Sequence, residues 1–183
     1  MRFDIEAVNG AVGRIVRAAS SPATGYSELL RFCKGQCPGL PKLFEQANAE
    51  AETSGLAAQL KRTIATSPIP AGVTTLYFGL FEATSEERDS PYGGFYVSGV
   101  QHFDSDDLDT LCAPPYYPEN RYLRSRLLDR AVQAAAADRQ NGQFIFYVMM
   151  LGVGGILARF AAKRLALKQK VVVGFDDGDV IEV

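Results

Sequence analysis

Tryptophan is absent from this chain of 183 residues, histidine occurs once and cysteine three times. With His102 as the lone histidine, any histidine-dependent proton transfer has to pass through that ring. An odd number of cysteines does not build a disulfide framework and fits a reducing compartment, so a cytoplasmic location is expected. A basic excess is lacking as well: 19 Lys and Arg against 21 Asp and Glu leave a net charge of -2, which does not suit a nucleic-acid binder. Long hydrophobic runs are scarce. The longest, 144–157, is short for a bilayer crossing and is interrupted by Gly152, Gly154 and Gly155, so it reads as buried core and no membrane partner is expected. The opening segment Met1-Arg2-Phe3-Asp4-Ile5-Glu6 has neither the basic start nor the apolar centre of a signal peptide.

What is present is the composition of an ordinary globular protein, 47% hydrophobic and 22% charged. Without an internal repeat, linker or low-complexity stretch, residues 1–183 read as a single α+β domain. The N-terminal third is helical in pattern. Ile5, Val8, Val12, Ile15, Val16 and Ala19 recur on one helical face. Ser27 is placed to cap a second helix carrying Leu29, Leu30, Phe32 and Cys33. A third starts near Pro41 with Leu43, Phe44 and Ala47, continues or restarts past Gly55 with Leu56, Leu60 and Ile64, and stops at Ser67-Pro68-Ile69-Pro70.

The middle changes character. Segments 73–83 and 95–103 are rich in β-branched and aromatic residues and read as two antiparallel strands joined by the polar loop 84–94. An acidic, then proline-rich loop follows, and a helix is expected from Tyr122 to Arg139, ended by Asn141-Gly142. Periodicity does not separate strand from buried helix at 144–150, whereas 155–168 is helical. Two short apolar runs flank Asp176-Asp177-Gly178-Asp179, the pattern of a terminal β-hairpin. The expected architecture is a small, mostly antiparallel sheet packed against several helices, with a helical N-terminal third and a C-terminal hairpin.

Several stretches carry candidate chemistry. Asp104, Asp106, Asp107 and Asp109 stand just before Pro114-Pro115-Tyr116-Tyr117-Pro118. Acids that steer a basic partner, beside Tyr116 and Tyr117 that anchor it, make the protein-binding surface favoured here. His102 and Cys112 are close enough in sequence for a nucleophile and its base, the ground for an alternative reading as a small hydrolase. Cys33 and Cys37, with Cys112 and His102, have the residue types of a zinc site, against the simpler reading of cysteines packed as small hydrophobes. The aspartates at 176, 177 and 179 could hold a metal, although the turn alone accounts for Gly178 and a neighbouring aspartate. The glycines at 152, 154 and 155 lack both the dinucleotide fingerprint and the lysine of a phosphate loop, and close helix packing explains them. No catalytic residue, cofactor or metal is assigned. Acids concentrated in 82–109 and bases in 159–170 also suit self-association, so a structural homo-oligomer is a third reading.

In order, Leu76-Tyr77-Phe78-Gly79-Leu80-Phe81-Glu82, Gly94-Phe95-Tyr96-Val97-Ser98-Gly99, Cys112-Ala113-Pro114-Pro115-Tyr116-Tyr117-Pro118-Glu119-Asn120-Arg121-Tyr122 and Val173-Gly174-Phe175-Asp176-Asp177-Gly178-Asp179-Val180 follow one another. This succession resembles small bacterial proteins similar to the immunity proteins of polymorphic or contact-dependent toxin systems, over residues 74–183. The resemblance implies a non-enzymatic cytoplasmic protein that binds and neutralises a toxin domain by occlusion. It does not extend to the helical first third.

Overall fold

The computed structural model describes residues 3–37, 40, 44–85, 88–104, 109–112, 114–176 and 178–183, and at 85, 88, 89, 109 and 112 the backbone alone. Among these residues the chain forms helices α1 (Ile5–Ala18), α2 (Pro22–Gln36) and α3 (Ala49–Thr66), then strands β1 (Thr75–Ser85) and β2 (Arg88–Val100). The short helix α4 (Asp109–Cys112), strand β3 (Tyr122–Arg124), helices α5 (Arg126–Ala137) and α6 (Gly142–Arg164), and strands β4 (Lys170–Gly174) and β5 (Val180–Glu182) complete it. The sheet runs β3-β2-β1-β4-β5, with β1 and β4 parallel and the other neighbours antiparallel. This is the expected α+β arrangement with its helical start and closing hairpin.

Local chemistry shifts several boundaries. Asp4 caps α1 by accepting from the Ala7 N–H. The second helix begins earlier than expected, because Ser21 and Thr24 form a capping box and Pro22 suits the first turn; Ser27 lies inside the helix. Asn48 caps α3, which runs through Gly55 unbroken. The expected start near Pro41 falls outside the described residues apart from a turn at Phe44. The expected polar loop at 84–94 is largely strand: β1 and β2 stay paired to Ser85↔Arg88, with a register shift between Ala83 and Ser85. Pro91 is tolerated there because β2 pairs with β3 only at Gly94, Phe95 and Tyr96, and farther along its outer edge meets α5 side chains, Asp129 at the Gly93 N–H and Gln133 at the Pro91 carbonyl. The helix expected from Tyr122 starts at Arg126 instead, since Ser125 caps it through the Leu127 N–H and 122–124 is taken up as the edge strand β3.

Residues 144–150 are helix, not strand. They belong to α6, which has 23 residues and is apolar around its whole circumference. By length and composition α6 could cross a membrane, so the shortness of the apolar run does not decide the matter, but 89% of its most apolar window is buried inside the fold. Such a helix has to be wrapped on every side. The inner face of the sheet (Leu76, Phe78, Leu80, Phe95, Val97, Val171 and Val173, all buried) supplies one wall, and α1, α2, α3 and α5 supply the others. Glycines in the middle of α6 mark close approaches to its neighbours. A Cβ on Gly152 would lie 2.4 Å from Leu29 Cδ1 of α2, one on Gly154 2.8 Å from Leu80 of β1, and one on Gly155 2.9 Å from Ile181 of β5.

Polar groups lock the layers. Arg159 on α6 donates to the Val16 and Ala19 carbonyls, at 2.7 and 2.8 Å, and so satisfies the C-terminal end of α1. Arg164 pairs with Glu50 of α3 at 2.6 Å and Lys170 with Glu182 across the terminal hairpin at 3.3 Å. Three bases of the 159–170 run are thus engaged within the chain rather than forming a free basic pole.

Filling one of these approaches is expected to weaken the fold. Gly152→Val should cost about 1–3 kcal/mol through overpacking against Leu29. Gly55→Ala, on an exposed turn of α3 where an added Cβ meets nothing within 4 Å, should do the opposite. Its gain is about 0.5–1 kcal/mol from restricting the unfolded chain and favouring helix. Urea or thermal melts measure both, and a Gly152→Val protein as stable as its parent would contradict the packing account.

Candidate functional site

The second face of the sheet carries no long helix. Alternation along β1 and β2 sends Leu76, Phe78 and Leu80 inward and Tyr77, Gly79 and Phe81 outward. Across the ladder Gly79 faces Tyr96 and Phe81 faces Gly94. Each glycine is overlain by the ring opposite: a Cβ on Gly79 would sit 2.2 Å from Tyr96 Cε1, and one on Gly94 2.8 Å from Phe81 Cζ. Two aromatic rings therefore lie flat on the strands, which a side chain at either glycine would prevent. Tyr77, packed with Val100, Leu111 and Val172, forms a small second cluster under α4.

Segment 114–124 raises the walls. Its path is set by α3, whose polar residues act as a rail. Tyr116 donates to the Ser67 carbonyl at 2.6 Å, Thr63 Oγ1 to the Asn120 carbonyl at 3.0 Å, and Gln59 exchanges two bonds of 2.9 Å with the Arg124 backbone. Glu52 accepts from Ser125 Oγ and the Arg126 N–H at 2.8 and 2.9 Å. With the backbone so held, Tyr117 (49% exposed) lies near-parallel to Tyr96 at 6.4 Å, and Tyr122 (60% exposed) meets the edge of Phe81 at 5.7 Å. The Arg121 guanidinium covers both outer rings, 4.6 Å from the Tyr117 centroid and 4.9 Å from that of Tyr122.

The terminal hairpin closes the far side. Its connection is held by Phe175 N–H to Asp179 O at 3.0 Å, with Gly178 at a φ of 112 that favours glycine. Asp176 thereby reaches over the sheet, and its Oδ1 accepts from Tyr96 and, at 3.4 Å, from Tyr77. Tyr77, Phe81, Tyr96, Tyr117, Tyr122, Phe175 and Asp176 line a cavity of about 510 Å³, the size of a small-molecule pocket. Asp176 is the one formally charged group among its described lining residues. Burial, then the bond donated to Asp176, then the neighbouring Tyr77 and Asp176 charges hold the Tyr96 hydroxyl far above the ordinary tyrosine range, so it remains a donor.

The residues expected to contact a partner fare differently. Tyr117 is exposed and belongs to the cup. Tyr116 does not: it is 6% exposed, bridges to Gly99 and spends its hydroxyl on Ser67, so it supports the wall from within rather than anchoring a partner. Asp104 is exposed, Asp106 and Asp107 lie outside the described residues, and Asp109 is described in its backbone only, at the start of α4. Of the alternative pair, His102 is exposed and Cys112 is likewise described in its backbone alone. Cys33 and Cys37 are buried as free thiols, and burial, then the Cys37 thiol alongside, pushes Cys33 up to about 12. No three His, Cys, Asp or Glu side chains gather at metal-binding spacing among the described residues. Of the hairpin aspartates, Asp177 is outside the described residues and Asp176 serves the tyrosines.

Tyr77, Phe81, Tyr96 and Tyr122 are functional candidates that the sequence alone does not single out, and Asp176, considered there as a metal ligand, is here the acceptor of two tyrosine hydroxyls. The available signal was Gly79 and Gly94 within aromatic strands, since glycine inside a strand marks a close approach.

Two titrations test this geometry. Asp176→Asn should lower the Tyr96 pKa while leaving it above that of a free tyrosine, because burial outweighs the lost carboxylate; tyrosine ring-carbon NMR across alkaline pH reads this, and an unchanged value would refute the bond. Cys33 is a group whose folded pKa exceeds its unfolded value. It favours the folded state below pH 9 and loses that contribution as pH rises from 9.0 to about 12, so stability should fall over that window. At about pH 8 the native Cys33 should resist iodoacetamide and react only after unfolding, as peptide mapping would show.

The chain matches no protein-family model, no curated protein and no solved structure at a significant level of similarity.

Proposed function

We propose that this chain is a protein-binding module of the immunity type, acting in the cytoplasm by occluding a basic toxin domain, with the open aromatic face of its sheet as the contact surface. The observation that carries this reading is the cup itself. Tyr117, about half exposed, and Tyr122, more so, stand on a segment held by α3, around a hollow that the fold leaves unfilled. Tyrosine rings on a fixed backbone are what protein interfaces use as anchors, since they present large area at small entropic cost. Phe103 packs on the outer-face cluster, and Asp104, next to it in the chain and first of the acidic run, is exposed. Acids bordering aromatic anchors favour a positively charged partner and raise its association rate.

The test is a complex with the product of the neighbouring gene in the native host, followed by size-exclusion chromatography and calorimetry. Tyr122→Ser together with Tyr117→Ser should weaken it by about tenfold or more, mainly through faster dissociation. Replacing Asp104, Asp106, Asp107 and Asp109 with asparagine should slow association and flatten its salt dependence. If both sets of substitutions leave the affinity and its salt dependence unchanged, the reading is wrong.

A further inference from the structure

The geometry points to the cup as a receptor for one arginine side chain of the protein partner, its guanidinium stacked on the tyrosine rings and paired with Asp176. The inference rests on the protein-binding reading and specifies its chemistry.

Charge complementarity is the first argument. The cavity has aromatic walls and a single carboxylate among its described lining residues, and Asp176 makes no ion pair with the described residues. Both tyrosine hydroxyls converge on Oδ1. They satisfy lone pairs on that oxygen but leave the negative charge without a counter-ion, and Oδ2 accepts nothing from the described residues. An anionic guest would be repelled by this charge, and a neutral donor would hydrogen-bond to it without supplying a counter-charge. A cation is the complementary occupant.

Ring chemistry distinguishes the type of cation. The same face already holds two of the chain's own guanidinium groups on tyrosine rings: Arg121 on Tyr117 and Tyr122, and Arg124 on Tyr92 at 3.9 Å. Guanidinium is planar, stacks on aromatic faces, is weakly hydrated and pairs with a carboxylate through two N–H donors, whereas a lysine ammonium is compact and strongly hydrated. The near-parallel Tyr96 and Tyr117 rings and the adjacent Asp176 carboxylate offer both kinds of contact to one group. The Tyr96 hydroxyl, donating to Oδ1, helps to hold the carboxylate in place.

Blocked amino acids serve as probes that need no partner protein. N-acetyl-arginine methylamide is titrated into the full chain and followed by NMR of the tyrosine rings. N-acetyl-citrulline methylamide, the same shape without charge, and the lysine equivalent are run beside it. The arginine probe should bind at about the millimolar level and at least about tenfold more tightly than citrulline, with lysine between them. Asp176→Asn, checked for folding by circular dichroism, should erase the preference for arginine over citrulline. Tyr117→Ala, which removes a half-exposed ring and leaves the core intact, should weaken the arginine probe by about threefold to tenfold. Equal binding of arginine and citrulline, no shifts with either probe, or an arginine affinity untouched by both substitutions would each overturn the inference. Loss of partner affinity in the double tyrosine variant would then still support the protein-binding reading, so the two fail separately.

Discussion

A helix with no polar face imposes the architecture. α6 must be enclosed on all sides, and a sheet covers only one of them, so the chain needs several other helices to complete the wrapping. The N-terminal third supplies most of that wrapping, which explains why α1, α2 and α3 precede the sheet without contributing a strand. The demand also fixes the glycines at 152, 154 and 155, each set where a different neighbour comes closest: α2, the sheet centre, and β5 with α1. With the helices gathered around α6 on one side, the other face of the sheet is left to a short helix, a loop and a hairpin turn. The open aromatic cup is thus a consequence of enclosing the central helix.

Polar groups then determine what that open face presents. Segment 116–126 runs along the edge of β2, where exposed strand backbone invites mispairing. β3 covers three residues of the edge, and the amide of Gln59 binds both the N–H and C=O of Arg124 as a further strand would. Thr63, Ser67 and Glu52 continue the same contact along α3. These part-buried bonds are modest individually, about 1 kcal/mol each, yet all act on one short segment and therefore define its register. Tyr117, Arg121 and Tyr122 inherit their positions from residues that never touch the cup.

The physical reasons why some of this was legible in the sequence are specific. Alternation and β-branched content revealed β1 and β2, and the helical faces of α1 and α3 followed from periodic apolar residues, because those signals come from burial itself. α6 was ambiguous because a helix buried all round has no period to read. β3 was missed because Ser125, three residues on, is the cap that decides where α5 begins, and the Tyr122–Arg124 strand depends on pairing with Gly94–Tyr96 and on Gln59, 65 residues from Arg124, neither visible locally. The acidic-aromatic stretch at 104–117 was found as composition, but composition does not distinguish Tyr116, turned inward to Ser67, from Tyr117, turned outward to Tyr96. That difference is the alternation of neighbouring side chains beside a strand, and it depends on a pairing with Gly99 that local sequence does not reveal.

Asp176 shows most directly how a turn acquires a role beyond turning. A hairpin with Gly178 at positive φ needs small polar residues, and aspartate meets that need on its own. Its carboxylate nevertheless receives hydroxyls from two strands of the sheet, about 80 and 99 residues earlier in the chain. Asp176 remains exposed at the rim of the cup, and the hydroxyl donors supply hydrogen bonds without supplying a counter-charge. If structure alone were at stake, asparagine would accept from the same hydroxyls and bring no charge into an aromatic hollow. The charge strengthens both hydroxyl bonds but keeps its sign, and the proposed arginine would be the group that neutralises it.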